Sequence, residues 1–355
     1  MRIAFLQDLT VDAHVDLVSP SFLAFERAVH DGIDGADVQV ELVQLDTQGD
    51  PVKALGFARQ IAADGSFVLA VVAPFWQEPA EVASILAQAG VPTFSLSPLS
   101  PSPWSPETAT AAGPALDGGP QALWRRFVAD QQAQAAVMAA QIRESVPGQD
   151  GELACLLGDT STYSLELRAA IEANLPSDMP RVAPPPANAQ DAAAQIHEGC
   201  SFITWTGSAA GAVDLASALR PDGRTIDLAS DASKTVMPLT VSDTFDAAVL
   251  AVTCPCADVD VATSEAARQF VNIYQSDNGL APGVYAVEGW NAGTVASFAL
   301  RAQVRTRTQM QAFLTGLESF AGVEGTRSFD DAGELLDQSA GVFRASGSRW
   351  LPLSA

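Results

Sequence analysis

The stretch "FVLAVVA", Phe67 to Ala73, is apolar at every position and rich in valine, with Gly65 before it and Pro74 after it. A strand without a polar face has no side to give to water, so both faces of its sheet must be covered. The flanking residues supply the covers. "DPVKALGFARQIAADG" places Ala54, Phe57, Ala58 and Ile61 on one helical face and is predicted to stop at Gly65, and "EPAEVASILAQAG" is predicted to form the next helix. Upstream, "RIAFLQD" and "VQVELVQLD" read as strands. Between them "SPSFLAFERAVHDG" reads as a helix with Ser19 as its cap, Pro20 in its first turn, and Phe22, Phe25 and Val29 at helical spacing. With "VPTFSLS" as a further strand, strands alternate with helices as in a parallel sheet covered on both sides.

Pro98 to Gln121 is rich in Pro, Gly, Ser and Thr and has no period; it reads as a long loop or a lid. The alternation then restarts: helix "DQQAQAAVMAAQIRES", strand "GELACLLGD", helix "YSLELRAAIEANL", strand "CSFITWTG", helix "AAGAVDLASALRPDG" and strand "TIDLASD". The order of elements repeats without the residues repeating. A chain of 355 residues is more than twice a typical domain of ~150, so two similar α/β lobes are expected. From Ala247 a strand leads into two more helices, "SEAARQFVNIYQSDNG" and "YAVEGWNAGTVASFALRAQ", and the tail reads as a hairpin around Asp331 and Gly333.

Composition narrows the partners. With 48% hydrophobic and 17% charged residues the chain folds rather than staying disordered. Forty-two acidic against 19 basic residues give a formal net charge of -23, and Lys53 and Lys234 are the only lysines. Such a surface repels phosphate backbones and anionic membranes, so no nucleic acid and no membrane partner is expected. Its plain reading is solubility, with adaptation to salt or attraction of cations as alternatives. No run reaches the ~18 apolar residues of a membrane span, and "MRIAFLQDLT" reads as a strand rather than a leader.

The chemistry-bearing residues are sparse. Cys254-Pro255-Cys256 lacks zinc-knuckle spacing and His14, His30 and His197 lie far from it, so no metal is expected. Cys155 and Cys200 sit in or beside strands, either as buried thiols or as a bridge between neighbouring strands. Gly207-Ser208-Ala209-Ala210-Gly211 is not a nucleophile elbow, and the chain carries no phosphate-cradling or dinucleotide-binding loop. No enzyme activity and no cofactor are expected.

Five pieces in order, "LVQLDTQGDPVKALGFARQIAADG", "AGVPTFSLSP", "GDTSTYSLELRAAIEANL", "YAVEGWNAGTVASFAL" and "FDDAGEL", carry a resemblance that spans nearly the whole chain. The sequence resembles the type I periplasmic binding proteins of the leucine, isoleucine and valine-binding branch, which serve ABC importers. The resemblance implies two doubly wound parallel-sheet lobes joined by a three-segment hinge, with a ligand cleft between them. The crossovers fall near Phe127, Thr253 and Gly325, giving lobes of 1–127 plus 254–325 and 128–253 plus 326–355.

Open parallel sheets bind ligands at the carboxyl ends of their strands, which makes the strand-end loops the candidate site. In amino-acid binders of the family the loop after the third strand and the loop after "SLSP" hold the ligand carboxylate with hydroxyls and backbone amides. Here Phe75, Trp76 and Gln77 stand where small serines are usual, and Leu99, Ser100, Pro101 and Ser102 replace a Gly-Ala-Thr run, which implies a more apolar site and a ligand other than a standard aliphatic amino acid. Ser97, Ser100 and Ser102 retain polar contacts. The resemblance adds Tyr163 as a cleft tyrosine, Asp231 as the partner of a cation or hydroxyl, Ser208 as cleft backbone, and Glu288. Each has a structural alternative: Trp76 as a helix-start staple, Asp231 as a helix cap, Glu288 as a solvated helix residue.

The resulting expectation is an extracytoplasmic solute-binding protein, monomeric, that closes over a small molecule and delivers it to ABC transporter permease subunits. Its location would be periplasmic or lipid-anchored at the cell surface, without an export signal in this chain. The alternative is the ligand-sensing domain of a cytoplasmic regulator or receptor of the same fold.

Overall fold

The structure, a computed structural model, describes residues 1–9, 19–73, 79–98, 123–146, 152–185, 187–196, 200–218, 225–228, 250–257, 264–338, 340–346 and 349–352. They form two units, Met1–Val128 with Ala262–Gln338 and Ala129–Val261 with Ser339–Ala355. The first changeover falls beside Phe127; the second and third lie further along the chain than Thr253 and Gly325.

In the first unit β1 (Arg2–Gln7), β2 (Glu41–Asp46), β3 (Phe67–Val72), β4 (Thr93–Ser95) and β5 (Trp124–Arg126) form a parallel sheet in the order β2-β1-β3-β4-β5. Helices α1 (Pro20–Ile33), α2 (Pro51–Ala63) and α3 (Pro79–Gln88) connect the first four strands. Alternate residues of β1 serve opposite faces. Ala4 and Leu6 join Ala54, Ala58 and Ile61 of α2 and Val82 and Leu86 of α3 in one core. Phe5 points to the other face, its ring 5.1 Å from Phe22 and 5.5 Å from Phe25 of α1. The sheet is thus covered on both sides, as the apolar β3 requires; every residue of β3 is buried.

Local chemistry sets the helix boundaries. Ser19 Oγ accepts the Phe22 N–H at 3.2 Å and Asp50 accepts the Val52 N–H at 2.8 Å, each just before a proline that suits a first turn. The end of α2 differs from expectation: Asp64 closes it in an extended conformation, φ -100°, and no left-handed glycine is used.

In the second unit α4 (Gln131–Ser145), β6 (Leu153–Leu157), α5 (Thr162–Asn174), β7 (Arg181–Val182), α6 (Ala189–Ala194), β8 (Cys200–Trp205), α7 (Ala209–Ala218), β9 (Thr225–Leu228) and β10 (Leu250–Cys254) follow in order. The chain returns to the first unit through α8 (Glu265–Asn278), α9 (Ala286–Arg301), α10 (Arg307–Thr315) and the hairpin β11 (Phe320–Gly322) with β12 (Gly325–Arg327). Beyond it the predicted turn is present as bonds from Gly333 N to Asp330 O and from Leu336 N to Ser328 O.

The last residues, β13 (Gly341–Ser346) and β14 (Arg349–Pro352), complete a seven-stranded sheet in the order β14-β13-β10-β9-β8-β6-β7. Its β10-β9-β8-β6-β7 part is parallel, and the two tail strands add antiparallel. This antiparallel edge is a feature the sequence pattern did not suggest. Cys155 of β6 is disulfide-bonded to Cys200 of β8, with Cα atoms 5.7 Å apart, and Cys254 to Cys256 at the end of β10.

Candidate functional site

In the first unit the strand ends are laced together where the connecting loops leave the sheet. Thr47 N donates to Gln7 O at 2.9 Å, Ala73 N to Leu6 O at 2.8 Å and Leu96 N to Val72 O at 2.8 Å. The chain leaves β1 for β2 on one side and comes back to β3 on the other, so strand order reverses at β1. In open α/β sheets such a reversal is where ligands bind.

The acids of "LDTQGD" are occupied by nearby backbone N–H groups. Asp46 Oδ1 accepts the N–H groups of Leu9 at 2.9 Å and Gln48 at 3.0 Å, and Asp50 caps α2. Gln48 and Gly49 both have left-handed backbone, φ 57° and 66°, which curls their N–H groups toward the carboxylates. Asp8 Oδ1 accepts from Gly49 N at 3.1 Å and from the Thr47 hydroxyl. Burial pushes the Asp8 carboxyl up to about 6; the Gly49 N–H opposes this and the neighbouring Asp46 charge adds to it.

Gln7, the last residue of β1, is 2% exposed, and among the described residues neither Nε2 nor Oε1 has a hydrogen-bond partner. Sequence reasoning missed this residue. Its signal was a single amide ending the otherwise apolar "IAFLQ".

Ser97 lies just beyond β4, buried, its N–H donating to Ser95 Oγ at 3.2 Å. Glu288 stands in the first turn of α9 and is 1% exposed, so it is a buried residue and not a solvated one. Phe75, Trp76, Gln77, Ser100, Ser102 and Asp231, and all but the first residue of the long segment Pro98 to Gln121, lie outside the described residues.

In the second unit Tyr163 occupies the first turn of α5, where Ser161 caps the helix. The side chain is buried, and the hydroxyl expected to face a ligand donates to Gln134 Oε1 of α4 at 2.9 Å. Ser208 follows β8 and is exposed; its N–H donates to Asp159 Oδ2 at 2.8 Å and its carbonyl accepts from Trp205 Nε1 at 3.0 Å. Asp159, after β6, also accepts from Ser161 N and Oγ, so one carboxylate ties together the loops that leave two adjacent strands. Sequence reasoning missed Asp159 although it ends "LLGD". Beneath it Ser164 Oγ and Thr206 Oγ1 are 2.9 Å apart, and a Cβ on Gly158 would stand 2.4 Å from either oxygen.

Among the described residues no group of three or more His, Cys, Asp or Glu converges as metal ligands, and no helix is long and apolar enough to cross a membrane.

The comparisons with known proteins agree with this architecture. Solved structures similar to the chain include a substrate-binding protein of an ABC transporter from Desulfitobacterium hafniense in complex with Leu, with 19% identity, TM-score 0.72 and 99% of each chain covered. A branched-chain amino acid transporter substrate-binding protein from Streptococcus pneumoniae, in complex with isoleucine, shares 12% identity at TM-score 0.75, again with 99% of each chain covered. A solute-binding protein from R. palustris in complex with benzoate has 16% identity and TM-score 0.71, over 99% of this chain and 95% of that one. No curated protein matches the sequence. The family model described as periplasmic binding protein matches residues 2–349. With that match over nearly its whole length and two doubly wound units behind it, the chain belongs to the periplasmic binding protein family.

Proposed function

We propose that this protein is the extracytoplasmic solute-binding component of an ABC importer of the branched-chain amino acid type, and that it takes up its solute by closing its two units over it. The observation that carries the reading is the family match over residues 2–349. Two disulfides support an oxidising compartment and weigh against the cytoplasmic regulator. Binding in such a protein shifts a pre-existing open and closed equilibrium through contacts made only in the closed state. The transporter's permease subunits are the partners such a closed form would meet, and a binding role without catalysis fits the family.

Similar folds hold leucine, isoleucine and benzoate, so the scaffold accepts both aliphatic amino acids and an aromatic acid. For this chain we favour a solute other than a standard aliphatic amino acid. Phe75 and Trp76 would flank its apolar part, with Gln77, Ser97, Ser100, Ser102, Ser208 and Glu288 as polar contacts. Asp231 would meet a cationic or hydroxyl group. The Tyr163 hydroxyl, which donates to Gln134, would meet a solute donor as an acceptor, or a solute acceptor by exchanging that bond.

A thermal-shift screen of amino acids, amides, aromatic acids and polyols tests the reading, since a ligand that prefers the native form raises the melting temperature. A hit that also changes tryptophan fluorescence and weakens at least tenfold in Trp76→Ala is expected. A hit with unchanged affinity in both Trp76→Ala and Asp231→Asn would remove the proposed contacts, and a screen without any hit would remove the solute-binding role.

A further inference from the structure

We propose that Gln7 is a solute-recognition residue of the first unit and that it selects a neutral, planar amide-type group, such as a carboxamide, lactam or ureide, over the corresponding carboxylate. The inference rests on the solute-binding reading above and deepens it.

The side chain of Gln7 is 2% exposed, and both of its polar atoms are buried without a partner among the described residues. Buried polar groups in native proteins are almost always hydrogen-bonded, because an unmet donor or acceptor has lost its water and gained nothing. Such a residue is expected where the missing partner comes from outside. Gln7 is also placed where a solute arrives. It ends β1, the strand at which the order of the sheet reverses. Side chains on one face of a strand recur every second residue, so Gln7 shares the face of Phe5, one pleat nearer the carboxyl edge. Phe5 already meets Phe22 of the first turn of α1. The amide therefore lies toward the loop edge of the α1 face, away from the apolar core that Ala4 and Leu6 build on the other face.

The chemistry of the group sets the class of solute. An amide side chain offers two N–H donors on nitrogen and two acceptor sites on oxygen. A carboxylate accepts only; it would satisfy Nε2 and leave Oε1 facing another oxygen. A carboxamide or lactam presents a donor beside an acceptor and completes both. A site built to hydrogen-bond a substrate N–H rejects an analogue that lacks it, because its own buried groups stay unpaired.

The test uses the full chain at pH 7.5 with three probe sets: isovaleramide against isovalerate, benzamide against benzoate, and 2-piperidone alone. Calorimetric titration is expected to show at least one amide binding ten times more tightly than its acid. Gln7→Leu and the nearly isosteric Gln7→Met should lose that preference and, without any solute, melt at a higher temperature than the wild type, because an unpaired buried amide has been removed. A merely structural Gln7 would give lower melting in both variants, which overturns the inference. So does equal binding of amide and acid by the wild type, or a preference that survives in both variants, or a liganded crystal structure with only an ordered water on the amide. If the wider screen finds a solute outside these probes, equal binding by Gln7→Met overturns the inference while solute binding stands; loss of an amide-bearing solute supports it. No binding of any solute by the wild type defeats the solute-binding reading itself.

Discussion

Gly289 of α9 lies against the carbonyl oxygen of Ser21 in the first turn of α1: a Cβ built on Gly289 would stand 2.1 Å from that oxygen. Gly293, one turn on, would bring a Cβ to 2.6 Å from Phe25 O. The two helices pack along each other backbone to backbone, and the obstacle is main chain that has no rotamer to escape into. Gly289→Ala is therefore expected to lower stability by about 3 kcal/mol, the upper end of overpacking costs. Urea unfolding of the variant should show a lower midpoint with an unchanged slope.

Arg307 at the start of α10 spends all five of its N–H groups on backbone carbonyls. Nε donates to Phe67 O at 2.9 Å, Nη1 to Ala62 and Ala89 at 3.1 and 3.2 Å, and Nη2 to Ile61 and Asp64 at 2.7 Å each. Four of these carbonyls lie at the ends of α2 and α3, which attract positive charge, and the fifth opens β3. An ammonium has three donors and no fork, so Arg307→Lys should cost about 2 kcal/mol and Arg307→Ala about 4 kcal/mol in chemical denaturation.

Asp8 makes stability depend on pH in a direction opposite to most carboxylates. Burial raises its folded value to about 6 from 3.8, so the folded protein holds a proton that the unfolded chain has released between about pH 4 and 6. Stability contributed by this group falls as pH rises through that window and is lowest above it. Allowing for solvent screening of a partly exposed group, the penalty at pH 7.5 is about 2 kcal/mol. Asp8→Asn should remove most of it, so the variant gains on the wild type at pH 7.5 and not at pH 4. Equal gains at both values would show that the carboxyl does not titrate there.

The Cys155 to Cys200 bridge closes a loop with a sequence separation of 45 residues across adjacent strands. Chain-entropy arguments put its contribution at about 3 to 4 kcal/mol. The double variant Cys155→Ala with Cys200→Ala should melt well below the wild type under non-reducing conditions, and added reductant should lower its melting temperature less than that of the wild type, because only the two-residue Cys254 to Cys256 bridge remains to be reduced.

Much of the first unit was legible because short-range chemistry decides it. Ser19, Pro20 and Phe22 mark the start of α1 within a few residues, and the unbroken apolar run of β3 demands cover on both faces. The tail was less legible: β13 pairs antiparallel with β10, a partner some ninety residues earlier, β14 then pairs with β13, and no local pattern encodes the first choice. The candidate site divides in the same way. Strand-end positions such as Ser97 and Ser208 follow from the order of elements, whereas the pairing of Tyr163 with Gln134 depends on how α4 and α5 pack.

By itself the sequence determined the α/β class, the two-fold recurrence of strand and helix, and the family, because periodicity, capping and turn chemistry act over a few residues and survive in any context. Only the tertiary structure decided which polar groups find partners. Arg307 meets carbonyls more than 200 residues away in sequence, Asp8 is buried against the loop that supplies its Gly49 N–H bond, and Gln7 is buried with no partner among the described residues. Burial and hydrogen-bond satisfaction are properties of the packed neighbourhood, and that neighbourhood is assembled from segments that no local reading brings together.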